Sequence, residues 1–145
     1  MDYVFTKTGY LAGERLTVYL GDGKGSFNLS FQLFESPDFR FPRNLIIGDF
    51  NGDGNQDIVT ANYSSNNVTL LPGNGLGGFG TAITIAGSGQ NAIGTSPIQV
   101  VAGDFNNDGK MDFATANYTS GNITVCIGNG NLCVSNAHHQ ANKNT

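Results

Sequence analysis

The chain has 145 residues, of which 12% are charged, with 21 glycines, no tryptophan and a formal net charge of −4. The acidic balance argues against a nucleic-acid or anionic-membrane surface, because both need clusters of basic residues. The sequence also lacks an 18-residue apolar run, which argues against membrane insertion. The abundance of glycine favours short strands joined by tight turns, in one domain or a piece of one.

The predicted strands recur in a fixed order along the chain. Near the N-terminus, an apolar run at residues 16–20 leads into Gly21-Asp22-Gly23, and another strand candidate follows at residues 29–34. The same turn chemistry returns 52 residues later (73 − 21) at Gly73-Asn74-Gly75, and again at Gly128-Asn129-Gly130. Because glycine flanking Asn or Asp between β-branched runs is a strong hairpin signal, each of these turns predicts a pair of antiparallel strands.

Two nine-residue segments, 49–57 and 104–112, carry oxygen-bearing side chains in one shared pattern, 55 residues apart (104 − 49). Each reads Asp-Phe-Asn-x-Asp-Gly-x-x-Asp, with oxygen donors at positions 1, 3, 5 and 9 and glycine at position 6. A hard cation needs several oxygen donors around one point, and glycine can adopt the positive φ of a sharply turning loop. The segments therefore predict two calcium-binding loops.

Two other interpretations of these segments are less favourable. An EF-hand would place a bidentate Glu at position 12, inside a helix, but Thr60 and Thr115 stand there, and strand-forming residues surround them. A simple tight turn would need only one Asp or Asn. Three acids without a cation would be strained, because two carboxylates about 4 Å apart repel by roughly 4 kcal/mol at an effective dielectric near 20.

Each repeat predicts four strands, one before the loop, one after it, one leading into the Gly-Asn-Gly turn and one beyond that turn. Four antiparallel strands at a period of about 50 residues fit a blade of a β-propeller. The second strand, at residues 57–62, has no charged residue on either face after its initial Asp. A sheet with one wet face would carry charge on alternate residues, so this strand is expected to be buried between two stacked blades.

The segments Gly-Asp-Phe-Asn-Gly-Asp-Gly-x-x-Asp, the Asn-Tyr end of the following strand and Gly-Asn-Gly-x-Gly-x-Phe-Gly resemble the FG-GAP/VCBS repeat family over residues 16–132. That family builds integrin-α-like β-propellers, typically of seven blades, and also occurs in fungal lectins and bacterial surface proteins. The resemblance implies an all-β partial propeller of about two four-stranded antiparallel blades, as a fragment of a larger propeller that is expected to have seven.

The resemblance also implies the ligands of about two Ca²⁺ ions. The first set is Asp49, Asn51, Asp53, the Asn55 carbonyl and Asp57; the second is Asp104, Asn106, Asp108, the Lys110 carbonyl and Asp112. Phe50 and Phe105, at position 2 of each loop, are expected to point away from the ion and into the blade.

Four segments are expected. Residues 1–43 would hold the third and fourth strands of a preceding blade, and residues 44–97 a complete blade. Residues 98–134 would form an incomplete blade without its fourth strand, because Leu132-Cys133-Val134-Ser135 replaces Gly-x-Phe-Gly. Residues 135–145 would be a disordered tail. The chain would then be a fragment of a longer propeller, favoured over a protomer whose open edges pair with other copies.

The functional expectation is a calcium-binding module of an extracellular or cell-surface protein, serving adhesion or ligand binding. The alternatives are a lectin propeller, for which Tyr63 and Tyr118 are weak aromatic candidates, and a non-catalytic accessory domain of a secreted enzyme. No catalysis is expected, since both histidines lie in the tail and the acids are committed to the loops. Partners would be a protein or a carbohydrate, without nucleic acid, and isolated copies would self-associate through open blade edges. Cys126 and Cys133 suit a cross-hairpin disulfide or two free thiols about equally.

Overall fold

A computed structural model describes residues 2–7, 15–29, 34–35, 40–85, 93–130 and 133–140. These residues form twelve β-strands and no helix, so no helix among them could cross a membrane. The strands are β1 (Asp2–Lys7), β2 (Arg15–Gly21), β3 (Phe27–Leu29), β4 (Phe34–Glu35), β5 (Pro42–Gly48), β6 (Asp57–Asn62), β7 (Asn67–Leu71), β8 (Ile83–Ile85), β9 (Pro97–Gly103), β10 (Asp112–Asn117), β11 (Asn122–Gly128) and β12 (Cys133–Gln140). The prediction of an all-β fold is confirmed.

The strands form three four-stranded antiparallel sheets, numbered here in chain order. The second sheet is β5-β6-β7-β8 and the third is β9-β10-β11-β12, so that consecutive strands are neighbours in both. In the first sheet β2 pairs with β1 on one edge and with the short strands β3 and β4 on the other. Each sheet is therefore built by local hairpin connections, as the repeated turn sequences predict.

The second and third sheets repeat each other in register. Thr60 faces Thr69 across β6 and β7, and 55 residues later Thr115 faces Thr124 across β10 and β11. The turns between these strands hold four residues in both sheets, 63–66 and 118–121, whereas residues 8–14 separate β1 from β2. The strand pairing is thus the same in all three sheets, while the length of this connection differs in the first.

The second sheet is buried on both of its faces. All six residues of β6 are buried, as the absence of charge along this strand predicts. On one face Val59 and Ala61 pack in a cluster that includes Val100 and Phe113 of the third sheet. On the other face Ile58 belongs to a cluster with residues of the first sheet, Leu16 and Val18 among them. Apolar contact on both sides therefore holds the three sheets in one stack.

A buried asparagine joins the second and third strands at the end of the sheet opposite the loops. The Asn62 amide donates to Asn67 Oδ1 at 2.8 Å and to Thr69 Oγ1 at 2.8 Å. The third sheet repeats both bonds with Asn117, Asn122 and Thr124. These bonds give the Asn of the Asn-Tyr motif a structural role, because a buried carboxamide must find partners within the protein.

The structure corrects the predicted strand inventory at both ends of the chain. Residues 1–43 contain four strands where only a third and a fourth strand were expected, because β1 pairs along β2. The fourth strand of the last repeat, predicted to be lost, is β12, which also occupies much of the expected disordered tail. Strand pairing is made by backbone N–H and C=O groups, so it does not need the Gly-x-Phe-Gly sequence marker. The predicted segment boundaries stay a prediction.

Cys126 lies buried in the cluster between the second and third sheets and is disulfide-bonded. The sequence left a disulfide and two free thiols as equal alternatives, and the structure has no free thiol at this position. Cys133 is the one other cysteine of the sequence.

The stack predicts unequal costs for truncating two equivalent side chains. Val68 is 0% exposed between the second and third sheets, whereas its counterpart Ile123 is 47% exposed on the outer face of the third sheet. We expect Val68→Ala to lower the free energy of unfolding by about 2 kcal/mol, through lost burial and a residual cavity. Ile123→Ala should cost less than about 1 kcal/mol although it removes more atoms. Urea unfolding measures both, and equal losses would contradict this stacking order.

Candidate metal-binding loops

The two predicted loops lie at the same end of neighbouring sheets. Residues 49–56 connect β5 to β6, and residues 104–111 connect β9 to β10. The first loop also touches the third sheet, because a β-carbon at Gly52 would lie 3.2 Å from the carbonyl oxygen of Gly130. Glycine at this position therefore lets the first loop rest on the hairpin turn of its neighbour.

The aspartate at position 1 accepts hydrogen bonds from the backbone of its own loop. Asp49 Oδ1 accepts from the N–H groups of Gly52 at 2.7 Å and Asp53 at 3.1 Å, and Oδ2 accepts from Gly54 N–H at 2.9 Å. In the second loop Asp104 accepts from Asp108 N–H at 3.0 Å and Gly109 N–H at 2.8 Å. Both position-6 glycines have positive φ, 85° and 82°. The loops thus turn sharply around the first carboxylate, as the pattern predicts.

The residues at positions 3, 5 and 7 form a chain of short-range bonds. Asn51 Oδ1 accepts from Asp53 N–H at 2.9 Å, the Asn51 amide donates to Asp53 Oδ2 at 3.0 Å, and Asp53 Oδ1 accepts from Asn55 N–H at 2.7 Å. The second loop repeats all three bonds at Asn106, Asp108 and Lys110. The predicted residues at positions 1 to 7 are therefore brought together in both loops.

The exposed carboxylates at position 5 stay ionised. The N–H of Asn55, followed by the side-chain amide of Asn51, lowers the pKa of Asp53. The side-chain amide of Asn106 lowers the pKa of Asp108, followed by the N–H and the charge of Lys110. A charged carboxylate open to solvent is available to a cation at neutral pH.

The aspartate at position 9 lies in a different environment. Asp57 is completely buried; its Oδ2 accepts from the N–H groups of Phe50 at 3.0 Å and Asn51 at 3.2 Å, and its Oδ1 accepts from Gly73 N–H at 2.9 Å. Asp112 repeats this arrangement, with bonds from Phe105 N–H at 2.7 Å and Gly128 N–H at 2.8 Å. Each carboxylate thus connects the start of its loop to the end of the third strand.

The burial of Asp57 leaves its charge incompletely compensated. Loss of water raises the pKa of Asp57, and this effect outweighs the N–H bonds from Gly73 and Phe50, which act in the opposite direction. The nearby charge of Asp53 raises the pKa of Asp57 further. A cation bound beside these carboxylates would favour the ionised form.

Sequence reasoning missed this second role of the position-9 aspartate and the glycine that it binds. A β-carbon at Gly73 would overlap the carbonyl oxygen of Gln56, and one at Gly128 would overlap that of Met111. Only glycine therefore fits where the third strand passes the loop. The signal was present in the sequence, because the Asp and the Gly are 16 residues apart in both repeats.

The position-2 phenylalanines differ between the loops. Phe50 is 5% exposed and packs edge-to-face on Phe113, with ring centroids 6.4 Å apart. Its predicted inward orientation is confirmed, although it lies between two sheets. The prediction is wrong for Phe105, which is 49% exposed, because none of the described residues covers the outer face of the third sheet.

A family comparison covers most of the chain. The sequence model of the FG-GAP-like repeat matches residues 1–60 and again residues 49–115. The chain belongs to the FG-GAP-like repeat family. The resemblance noted in the loop and turn motifs is thereby confirmed, and the two overlapping matches agree with the internal repeat. No curated protein and no solved structure matches this FG-GAP-like chain.

The donors of each FG-GAP-like loop suit a hard cation, because every predicted ligand is an oxygen. The described residues contain no group of three or more acidic, His or Cys side chains already converged on one point. The physical reason is that the carboxylates are turned towards backbone N–H groups, and both oxygens of Asp57 and Asp112 accept such bonds. The ten ligand assignments therefore stay a prediction.

The double role of Asp57 predicts a loss of stability even without metal. In Asp57→Asn, one oxygen of the side chain becomes an amide that cannot accept, which leaves a buried N–H of Phe50, Asn51 or Gly73 without a partner. We expect the free energy of unfolding in excess chelator to fall by about 1–3 kcal/mol. Asp53→Asn, at an exposed position of the same loop, is the control and should change it by less than about 0.5 kcal/mol. Equal losses in urea unfolding would contradict a separate structural role for Asp57.

Proposed function

We propose that the chain is a calcium-binding FG-GAP-like module in which Ca²⁺ stabilises the loops of stacked propeller blades. The observation that carries this proposal is the exact repetition of the loop hydrogen bonds at positions 1, 3, 5 and 7, 55 residues apart. A loop already folded around its oxygen donors loses less conformational entropy when it takes up an ion.

Within this proposal each residue of a loop has a defined part. The position-5 carboxylates Asp53 and Asp108 supply exposed charge, and Asn55 and Lys110 supply backbone carbonyls. The position-1 carboxylates hold the turn and contribute oxygens to the ion. The bound ion supplies positive charge, which offsets the mutual repulsion of three acids in each loop.

The stacking supports the propeller part of the proposal. The second sheet is a four-stranded antiparallel meander buried on both faces, which is the environment of an internal blade. Three such sheets are fewer than the four to eight blades of usual propellers, so the module would be part of a larger assembly.

An extracellular location and a binding or adhesive role follow from the expected affinity. Oxygen-ligated loops of extracellular modules bind Ca²⁺ with dissociation constants on the order of 10⁻⁴–10⁻³ M. The role is proposed to be non-catalytic. The lectin alternative keeps Tyr118 as its main candidate, because this exposed residue borders a groove of about 350 Å³ with Ile98 and Ile123.

Thermal unfolding with and without Ca²⁺ tests the stabilising role. At a free Ca²⁺ concentration of 100 times the dissociation constant, each occupied site should add about 2.7 kcal/mol to the free energy of unfolding. Calorimetric titration should show about two ions per chain. The double variant Asp53→Ala/Asp108→Ala should lose both the heat of binding and the shift in Tm.

The same pair of experiments has a metal control and a clear contradiction. Mg²⁺ demands a tighter octahedral shell and should raise the Tm much less at equal concentration. If Ca²⁺ leaves the Tm of the parent chain unchanged and gives no saturable heat, the calcium assignment is wrong.

We also propose that isolated copies self-associate, now through a sheet face and not through a missing fourth strand. The outer face of the third sheet exposes Val101, Phe105 and Ile123, whose counterparts in the second sheet are covered by the third.

This association should weaken when the face becomes charged. Ile123→Lys should raise the dissociation constant of the oligomer by about tenfold or more, because an apolar contact is replaced by a buried charge. Leu76→Lys, at an exposed apolar residue in the turn after β7, is the control and should leave it unchanged. Light scattering over a range of concentrations decides, and a monodisperse monomer of the parent chain at high concentration would contradict the proposal.

A further inference from the structure

The backbone register identifies β1 as a strand of the second type, the equivalent of β6. Tyr3 faces Tyr19 across β1 and β2 as Ile58 faces Leu71 across β6 and β7, with offsets of 55 (58 − 3) and 52 (71 − 19). In the second sheet β6 has a partner on each edge, β5 and β7. Among the described residues β1 pairs with β2 alone. The first sheet therefore has a free edge where the other sheets carry their first strand.

A groove of about 520 Å³ lies between the first and second sheets, near the loop end of the second sheet. Val18, Ile47, Gln56, Ile58, Gly73 and Phe79 are among its lining residues, and none of the residues that line it carries a charge. Ile47 is 42% exposed although it faces the first sheet. The groove is thus an uncharged space in an otherwise packed interface.

The equivalent place between the second and third sheets is filled. It is lined by the counterparts of the groove residues, namely Leu70 for Val18, Met111 for Gln56, Phe113 for Ile58 and Gly128 for Gly73. The ring of Phe50 packs among them, and the space that remains measures about 10 Å³. The groove therefore corresponds to the position of an aromatic ring at position 2 of a loop.

The neighbouring first strands show how an added strand would lie. β5 and β9 are adjacent across the second and third sheets, where Asn44 Oδ1 accepts a hydrogen bond from Val100 N–H at 2.9 Å. A first-type strand paired with β1 would stand beside β5 in the same relation. One segment can thus pair with β1 and reach the groove.

We infer that the free edge of β1 and this groove form one acceptor site for an extended segment of a partner polypeptide. The segment has an apolar strand followed by Gly-Asp and an aromatic residue, as in residues 45–50 of this chain. It pairs antiparallel to β1, and its aromatic ring enters the groove beside Ile58 and Gln56. Backbone hydrogen bonds to an exposed sheet edge supply affinity in such strand addition, and the side-chain pocket supplies specificity.

The occupant is assigned to a partner because this chain has no spare segment of that kind. Gly-Asp-Phe occurs twice in the sequence, at residues 48–50 and 103–105. Both copies follow strands that are already paired, β5 with β6 and β9 with β10. A second copy of the chain has the same strands engaged in the same way.

A fluorescent peptide with the sequence of residues 42–50, titrated with the full chain in excess chelator, tests the site by anisotropy. The peptide carries only the first of the loop ligands, so its binding does not depend on the proposed calcium sites. We expect saturable binding. Replacing the peptide's phenylalanine by alanine should weaken it by about tenfold or more, because burial of the ring is lost.

Two variants of the chain form a matched pair. Ile47→Lys places a charge in the groove and should weaken peptide binding by at least about tenfold. Ile98→Lys changes the same residue type at 40% exposure, on the first strand of the third sheet and away from the groove, and should leave binding within about twofold. Both positions are partly open to solvent, so both variants should keep the Tm of the parent chain, which is measured first.

Three outcomes would overturn the inference. The first is the absence of saturable binding. The second is weakening by Ile98→Lys but not by Ile47→Lys, which would place the peptide on the outer face of the third sheet. The third is a dimer of the chain alone that excludes the peptide and is disrupted by Ile47→Lys, which would assign the edge to a second copy.

Discussion

Two buried carboxylates, those of Asp57 and Asp112, determine how each repeat joins its loop to its hairpin. A buried charge has no water to turn to, so it must collect donors from the chain, and here the donors are backbone N–H groups from two separate segments. The third strand must then pass so close to the loop that only glycine fits at residues 73 and 128. The direction of the position-2 side chain follows as well, because its own N–H is one of the donors.

The stack of sheets depends on this local arrangement. Once the loop is fixed, Phe50 leaves the plane of its own sheet and fills the gap to the third sheet, where it meets Phe113. The second sheet, covered on both sides, has the interior of a globular domain, while the third sheet has the same side-chain pattern with one face open. Burial in such an array is a property of neighbouring sheets and not of one sheet's composition.

Much of this organisation could be predicted because it is recorded in short-range spacing. The antiparallel hairpins follow from the turn sequences, and the loop bonds at positions 1 to 7 connect residues at most five apart. Three features could not be predicted in this way. Asp57 satisfies the spacing of a ligand and that of a backbone acceptor equally well. β12 is held by main-chain pairing without a sequence marker. Phe105 matches Phe50 in sequence and differs only in what lies beside it.

The connection between the second and third strands of each sheet has a consequence for how the repeat can change in evolution. It holds residues 63–66 in the second sheet and 118–121 in the third, but residues 8–14 in the first, and the strand pairing is the same in all three. This end of the sheet lies away from the carboxylate and glycine contacts, so added residues there disturb neither. Insertions, and engineered epitopes or tags, should therefore be tolerated at these turns, whereas a single inserted residue between Gly48 and Asp57 would displace every bond of the loop.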